Sequence, residues 1–205
     1  TLNETHDFAN MVRQSSQQLS QELKQVRVLS LTDELTELPN RRAFMQRLEE
    51  ELQRAKRYRS GFCVALLDLD YFKQVNDTYG HSAGDEMLRN YANNILSVLR
   101  RSDMVARYGG EEFAIIFPYT TLEEARQALE KVKLKALKTV IPHNGGVVRA
   151  PGFSAGLVVC KSNEDADTLM DRADRLLYSA KEGGRNRIEI EHADATFDNV
   201  HKKDY

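Results

Sequence analysis

The sequence has no tryptophan, four prolines, two cysteines and no apolar run of membrane-spanning length. Each scarcity excludes something. Cys63 and Cys160 sit in apolar surroundings without C-x-x-C or other ligand spacing, which argues against a disulfide framework or a thiolate metal site and for reduced core residues of a cytosolic domain. No signal-peptide pattern is present and no segment reads as a membrane helix. The net charge of −2 gives no global attraction to nucleic acid or anionic membrane, so any polyanion must be held by local groups or by a metal.

What is there suits one domain with a real core plus an appendage: 205 residues, 41% hydrophobic and 29% charged. A start at Thr1 in place of methionine suggests a fragment of a longer chain that carries sensor or membrane segments upstream. Residues 1–30 are polar and rich in Gln and Ser, with Val12, Leu19 and Val26 spaced by seven and the seam broken at Ser15 and Ser16. A helical stalk in a two-helix coiled coil fits, and so does a single helix lying on the domain. A stalk could transmit a signal by changing how two domains face each other. Residues 191–205 form a polar, aperiodic tail.

The chain is organised around Arg107, Tyr108, Gly109, Gly110, Glu111, Glu112 and Phe113, where glycines and acids interrupt an apolar run. Met104, Val105 and Ala106 lead in and Ala114, Ile115, Ile116 and Phe117 lead out, so the pattern predicts a β-hairpin whose tip uses the glycines for positive φ. Two carboxylates beside bare backbone can hold a hard cation near a phosphorylated ligand. An ordinary solvated hairpin reads equally well from these residues alone.

Phe62, Cys63, Val64, Ala65, Leu66 and Leu67 make a continuous apolar run, hence a strand buried on both faces, ending in Asp68, Leu69 and Asp70. Burying carboxylates costs several kcal/mol unless a cation or hydrogen bonds compensate, so a divalent metal at Asp68 is the economical explanation. The rival is a helix-capping Asp70 beside a partly solvated Asp68. Residues 71–77 read as a short helix whose start can face a phosphate, with Lys73 one turn on, and residues 79–85 as a glycine-broken loop before a helix running to about 99. Asn76 and Asp85 could read a guanine edge, although from spacing alone capping is the simpler explanation of both. Asp33 and Asn40 also read as caps, the latter before a helix over 41–56 with Phe44, Met45, Leu48, Leu52 and Ala55 inward.

Four separated blocks resemble one family. Asp33-x-Leu35-Thr36-x-Leu38-Pro39-Asn40-Arg41, the run from Asp68 through Phe72, Lys73, Asn76, Asp77, Gly80 and His81 to Gly84 and Asp85, the Gly109-Gly110-Glu111-Glu112 hairpin, and Ser154-Ala155-Gly156 with Ala173, Asp174, Leu177, Tyr178, Ala180, Lys181, Gly184, Arg185 and Asn186 are similar to the GGDEF-domain diguanylate cyclases. The resemblance covers residues 31–190, with Glu111 standing where the family name has Asp. It implies an α+β domain: a central, mostly antiparallel sheet of about five strands wrapped by helices, similar to adenylate cyclase and polymerase palm domains.

The resemblance further implies a homodimer that condenses two GTP into cyclic di-GMP and two pyrophosphates, and the net charge of −2 argues against a nucleic-acid partner. Asp68, the Leu69 carbonyl and Glu111 would bind Mg²⁺ or Mn²⁺, Glu111 would also accept a proton, and Glu112 would support it. Asn76 and Asp85 would read guanine. Tyr71 and Phe72 would offer backbone N–H groups, Gly109 and Gly110 would let the nucleotide approach, Lys73 would stabilise the pentacovalent phosphorus, and Lys181 and Arg185 would hold the β and γ phosphates. The sequence has no G-x-x-x-x-G-K-[ST] loop, which agrees with phosphates held by metal and helix start. Arg100 and Asp103 match the family's inhibitory Arg-x-x-Asp motif, implying a product site, against a solvated basic helix end as the bland reading. A catalytically silent cyclic di-GMP or GTP receptor would be expected to have lost Gly109, Gly110 or Glu111, and all are present.

Downstream, a helix is expected over 122–138, strands over 147–150 and 153–159, a helix over 166–180 and a closing strand over 187–190.

Overall fold

Apolar periodicity and capping chemistry set the elements. The structure, a computed structural model, describes residues 31–144 and 146–191, together with Arg13 and Gln14. The expected stalk and polar tail therefore lie outside the described residues, apart from Arg13, Gln14 and Glu191. Asn40 accepts the Ala43 N–H at 3.1 Å and starts α1 (Arg41–Tyr58), which buries Phe44 and Leu48. The apolar run forms β1 (Phe62–Leu69), followed by α2 (Phe72–Tyr79) and α3 (His81–Leu96). The hairpin strands β2 (Met104–Arg107) and β3 (Glu112–Pro118) come next, then α4 (Leu122–Ala136), opened by a Thr121/Glu124 capping box. A small hairpin, β4 (Val140–His143) with β5 (Gly146–Arg149), precedes β6 (Phe153–Val159), α5 (Ala166–Glu182) and β7 (Ile188–Ile190).

The main sheet has five strands in the order β2-β3-β1-β6-β7, antiparallel except for the β6–β7 pair, as expected of an α+β fold. β1 is central and its side chains alternate between two cores. Cys63, Ala65, Leu67 and Leu69 pack with Met87, Leu88 and Tyr91 of α3 and Leu129 and Val132 of α4. Phe62, Val64 and Leu66 pack with Phe44 and Leu48 of α1 and Leu169, Ala173 and Leu177 of α5. Each fully buried Leu, Val or Phe contributes roughly 1.5–3 kcal/mol, so the layers are held mainly by this double burial. Gly156 sets how closely α5 approaches, because a Cβ there would fall 2.0 Å from the Ala173 carbonyl oxygen.

Three local expectations are corrected. Residues 81–85 are helical, not a loop: Gly80, at φ 84°, makes the break, and Gly84 is a packing residue inside α3. Neither Gly109 nor Gly110 has positive φ. The hairpin loop is instead closed by the Tyr108 and Gly109 N–H groups on the Glu112 carbonyl, at 2.8 and 3.3 Å. Asp70 does not cap α2, whose N-cap position is Tyr71 (φ 57°) with no side-chain cap.

Candidate functional site

The central strand delivers its acids to the same edge as the hairpin loop. Asp68 lies opposite Glu112 in the β1–β3 register, and the Leu69 N–H donates to the Glu111 carbonyl at 3.3 Å. Side chains opposite one another in an antiparallel pair share a face, so Asp68 and Glu112 project together toward α5. From α5, Lys181 reaches down to Asp68, Nζ to Oδ2 2.9 Å.

The electrostatics describe one crowded acidic patch. Burial raises the Asp68 pKa above the usual carboxylate range, Lys181 pulls it back, and the charges of Glu111 and Asp70 push it up again. Glu112 is likewise raised by burial and then by Asp68, with Lys181 opposing. Acids that resist ionisation together are relieved by a cation. Among the described residues no three acidic, histidine or cysteine side chains form a self-sufficient metal cage. Two carboxylates and a carbonyl do suit Mg²⁺, which usually takes one or two carboxylates and completes its shell with substrate phosphates and water. The donor set therefore fits a divalent metal that completes its shell with oxygens from outside the protein.

The loop carrying Glu111 is tied down from an unexpected side. Arg107 donates through Nε and Nη2 to the Gly110 carbonyl at 3.1 and 2.8 Å and pairs through Nη1 with Asp33 at 3.1 Å. Asp33 also accepts from the Thr36 N–H and hydroxyl at 2.8 and 2.7 Å. Its pKa is lowered overall: burial pushes it up, but the Thr36 bonds and Arg107 outweigh that. Capping was thus only part of the role of Asp33, and the motif gave no sign that its partner lies 74 residues away.

Beside the acids, the first N–H groups of α2 lack intrahelical partners, with Lys73 exposed on the first turn. The Asn76 amide lies against Gly84, the residue before Asp85, where a Cβ would fall 1.9 Å from Oδ1. Arg185 stands over the Tyr71 ring at 5.1 Å from its centroid. The sequence gave no sign of this ring contact, or of the way Asp70 and Asn186 join the two segments, the Asn186 N–H donating to Asp70 Oδ2 at 2.8 Å.

Arg100 and Asp103 lie away from this edge, at the far end of β2, a strand of four residues spanning roughly 13 Å. They close a turn on each other, the Arg100 N–H donating to Asp103 Oδ2 at 2.8 Å and the Asp103 N–H to the Arg100 carbonyl at 3.0 Å. Both line a cavity of about 210 Å³ with Glu124, Gln127 and Lys131 of α4. The α4 residues were read from sequence only as part of an amphipathic helix.

The thiols take no part. Burial pushes Cys63 up to about 12 and Cys160 to about 11, and they are unbridged. Among the described residues no helix is long and apolar enough to cross a membrane.

The family model described as "Diguanylate cyclase, GGDEF domain" matches residues 30–187. Diguanylate cyclase DgcP of Pseudomonas aeruginosa is 41% identical over 182 residues, which are 88% of this chain and 27% of that protein, so the chain spans about a quarter of that relative. Among solved structures, the GGDEF domain of DgcB from Caulobacter crescentus in complex with c-di-GMP superposes with a TM-score of 0.76 at 37% identity, covering 78% of this chain and 93% of that one. Diguanylate cyclase SiaD from P. aeruginosa, in complex with its activator SiaC, gives 0.77 at 33% identity over 93% of this chain and 73% of that one.

Proposed function

The chain belongs to the GGDEF family of diguanylate cyclases, and from that premise we propose that it condenses two GTP molecules into cyclic di-GMP and two pyrophosphates across a homodimer interface. The observation that carries the reading is the convergence of Asp68, Leu69, Glu111 and Glu112 on one edge of the sheet, within reach of Lys181.

Each domain holds one GTP. Asn76 and Asp85 bind the guanine edge, an amide and a carboxylate able to match its O6 and N1/N2 groups. The Tyr71 and Phe72 N–H groups meet phosphate oxygens at the start of α2. The 3′-hydroxyl of one nucleotide attacks the α-phosphorus of the other; the new O–P bond forms as the bond to the β-phosphate oxygen breaks and pyrophosphate leaves. Glu111 takes the hydroxyl proton, supported by Glu112, and Lys73 stabilises the negative charge of the pentacovalent phosphorus. Lys181 exchanges Asp68 for the β and γ phosphates, which Arg185 also holds. Gly109 and Gly110 let the nucleotide approach the loop backbone, with open space where a Gly110 side chain would stand. Asp68, the Leu69 carbonyl and Glu111 would hold Mg²⁺ or Mn²⁺, which would neutralise phosphate charge.

Arg100 and Asp103 bind the product. The guanidinium suits a phosphate or the face of guanine, the carboxylate suits the guanine edge, and the adjoining cavity extends the site toward Lys131. Product bound there inhibits by holding the domains in a non-productive arrangement.

Incubation with GTP and Mg²⁺ followed by chromatography tests the activity: cyclic di-GMP is expected from the wild type and none from Glu111→Ala, with the variant still folded. Product formation by Glu111→Ala would contradict its role, and GTP left intact by the wild type would favour a silent receptor. Equal initial rates with and without saturating product would reject the inhibitory site.

A further inference from the structure

Asp70 is 4% exposed and stands between the acidic strand end and α2. Both of its oxygens are engaged by protein donors: Oδ1 accepts from the Ser154 hydroxyl at 2.7 Å and Oδ2 from the Asn186 N–H at 2.8 Å. Its own N–H donates to the Gly152 carbonyl at 2.9 Å. Two of its roughly four lone-pair sites are thus already taken by fixed protein donors.

The segment held by the second bond is conformationally demanding. Gly184, Arg185 and Asn186 follow one another at φ 110°, 63° and 48°. Residues with side chains keep such angles only where their surroundings over-determine them. The surroundings are Asp70 on the Asn186 N–H, the Ala180 carbonyl on the Arg185 N–H at 3.0 Å, and the Tyr71 ring 5.1 Å from the Arg185 guanidinium. Asp70 and Tyr71 thus face Arg185 and Asn186 as two adjacent pairs, carboxylate on N–H and ring against guanidinium. The Asn186 side chain also rests on Gly152, where a Cβ would lie 2.6 Å from Oδ1.

We propose that Asp70 is a positioning residue for the triphosphate clamp, holding Arg185 against the start of α2, and that it is not a metal ligand. The inference rests on the reading of Arg185 as a phosphate-binding residue. It predicts a defect that scales with the number of phosphates on the nucleotide and is independent of the guanine pocket.

The test is equilibrium binding of a non-hydrolysable GTP analogue and of GMP to the 205-residue chain in saturating Mg²⁺. Asp70→Ala is expected to weaken the analogue about tenfold or more, the effect of losing a buried charge-assisted bond, while GMP changes by less than about twofold, within the effect of a remote substitution. Asp70→Asn keeps an oxygen for the Asn186 N–H and is expected to bind like the wild type. Arg185→Ala is expected to match Asp70→Ala, and the double variant to be no weaker than Arg185→Ala alone, because the two act through one contact. Should Asp70→Ala lose its cooperative melt, Asp70→Ser is read in its place.

Equal weakening of the analogue and GMP, additive losses in the double variant, or a metal requirement shifted in Asp70→Asn would overturn the inference while leaving the clamp in place. An Arg185→Ala variant that binds the analogue normally would overturn the clamp reading and this inference with it.

Discussion

Replacing Arg107 with lysine is the most informative single change, because it keeps a positive charge and removes the geometry. The guanidinium bonds two groups at once: the Gly110 carbonyl through Nε and Nη2, and Asp33 through Nη1. Arg107 and Asp33 have side-chain exposures of 17% and 21%, so the pair is far better shielded than a surface ion pair. A lysine ammonium is a compact donor that cannot span both acceptors in the same plane. One charge-assisted bond lost in a half-buried site costs about 1.5–3 kcal/mol, which for a chain of this size lowers the melting temperature by roughly 3–12 °C. The functional effect follows from place: Gly110 precedes Glu111, and freeing its carbonyl loosens the residue proposed as proton acceptor without touching the proposed guanine or phosphate contacts. Arg107→Lys should therefore lower kcat by about tenfold or more, as expected when a catalytic group drifts by a fraction of an ångström, with KM for GTP little changed. Thermal melting and steady-state pyrophosphate release measure the two effects. Full activity together with an unchanged melt would refute the idea that this bridge sets the loop, and a raised KM at normal kcat would place its effect on binding instead.

Three further outcomes are expected. Gly84→Ala puts a methyl group 1.9 Å from the Asn76 amide oxygen, so the amide must move and KM for GTP should rise at least about tenfold, with loss of guanine-over-adenine preference; unchanged kinetics would remove Asn76 from the guanine site. Gly156→Ala cannot be accommodated by side-chain motion, because its Cβ meets backbone at 2.0 Å; about 3 kcal/mol or more of destabilisation is expected from the displaced α5, and a melt within a degree or two of wild type would show that helix and sheet are loosely packed. The Asp68 pKa is raised on folding, so its contribution to stability is complete below the unfolded carboxylate range and is lost as pH rises through the folded value. In chelator, Asp68→Asn should accordingly melt higher than wild type at pH 7 and lose that advantage by about pH 4, near the unfolded pKa; a variant less stable than wild type at pH 7 would mean the Lys181 ion pair outweighs burial.

Sequence legibility followed the range of the interactions. The double-faced burial of β1 was plain from an unbroken apolar run, and Asp68 stood out because acids at its end needed a reason to be there. The hairpin was legible as strands, but its turn was not: carbonyl closure on Glu112 takes the place of glycine φ, and a Cβ at Gly109 would lie 2.3 Å from the Glu112 carboxylate, which would have to move aside. Gly84 looked like a helix breaker, whereas it is small so that Asn76 can lie against it. β4 escaped notice because it is four residues long and contains Pro142, tolerated in a two-stranded hairpin with open edges. The joints that organise the site, Asp33 with Arg107 and Asp70 with Asn186, connect positions 74 and 116 residues apart and leave no periodic trace in the sequence.

The claim on which the rest depends is that Asp68 and Glu111 share one divalent ion brought in with the nucleotide. Titration of Mn²⁺ into the chain in the presence of a non-hydrolysable GTP analogue, followed by electron paramagnetic resonance, measures that ion directly. One protein-bound Mn²⁺ per nucleotide is predicted for the wild type, with similar losses in Asp68→Ala and Glu111→Ala and no further loss in the double variant. Undiminished Mn²⁺ binding in either single variant, or losses that add, would mean that the two carboxylates do not act on the same ion.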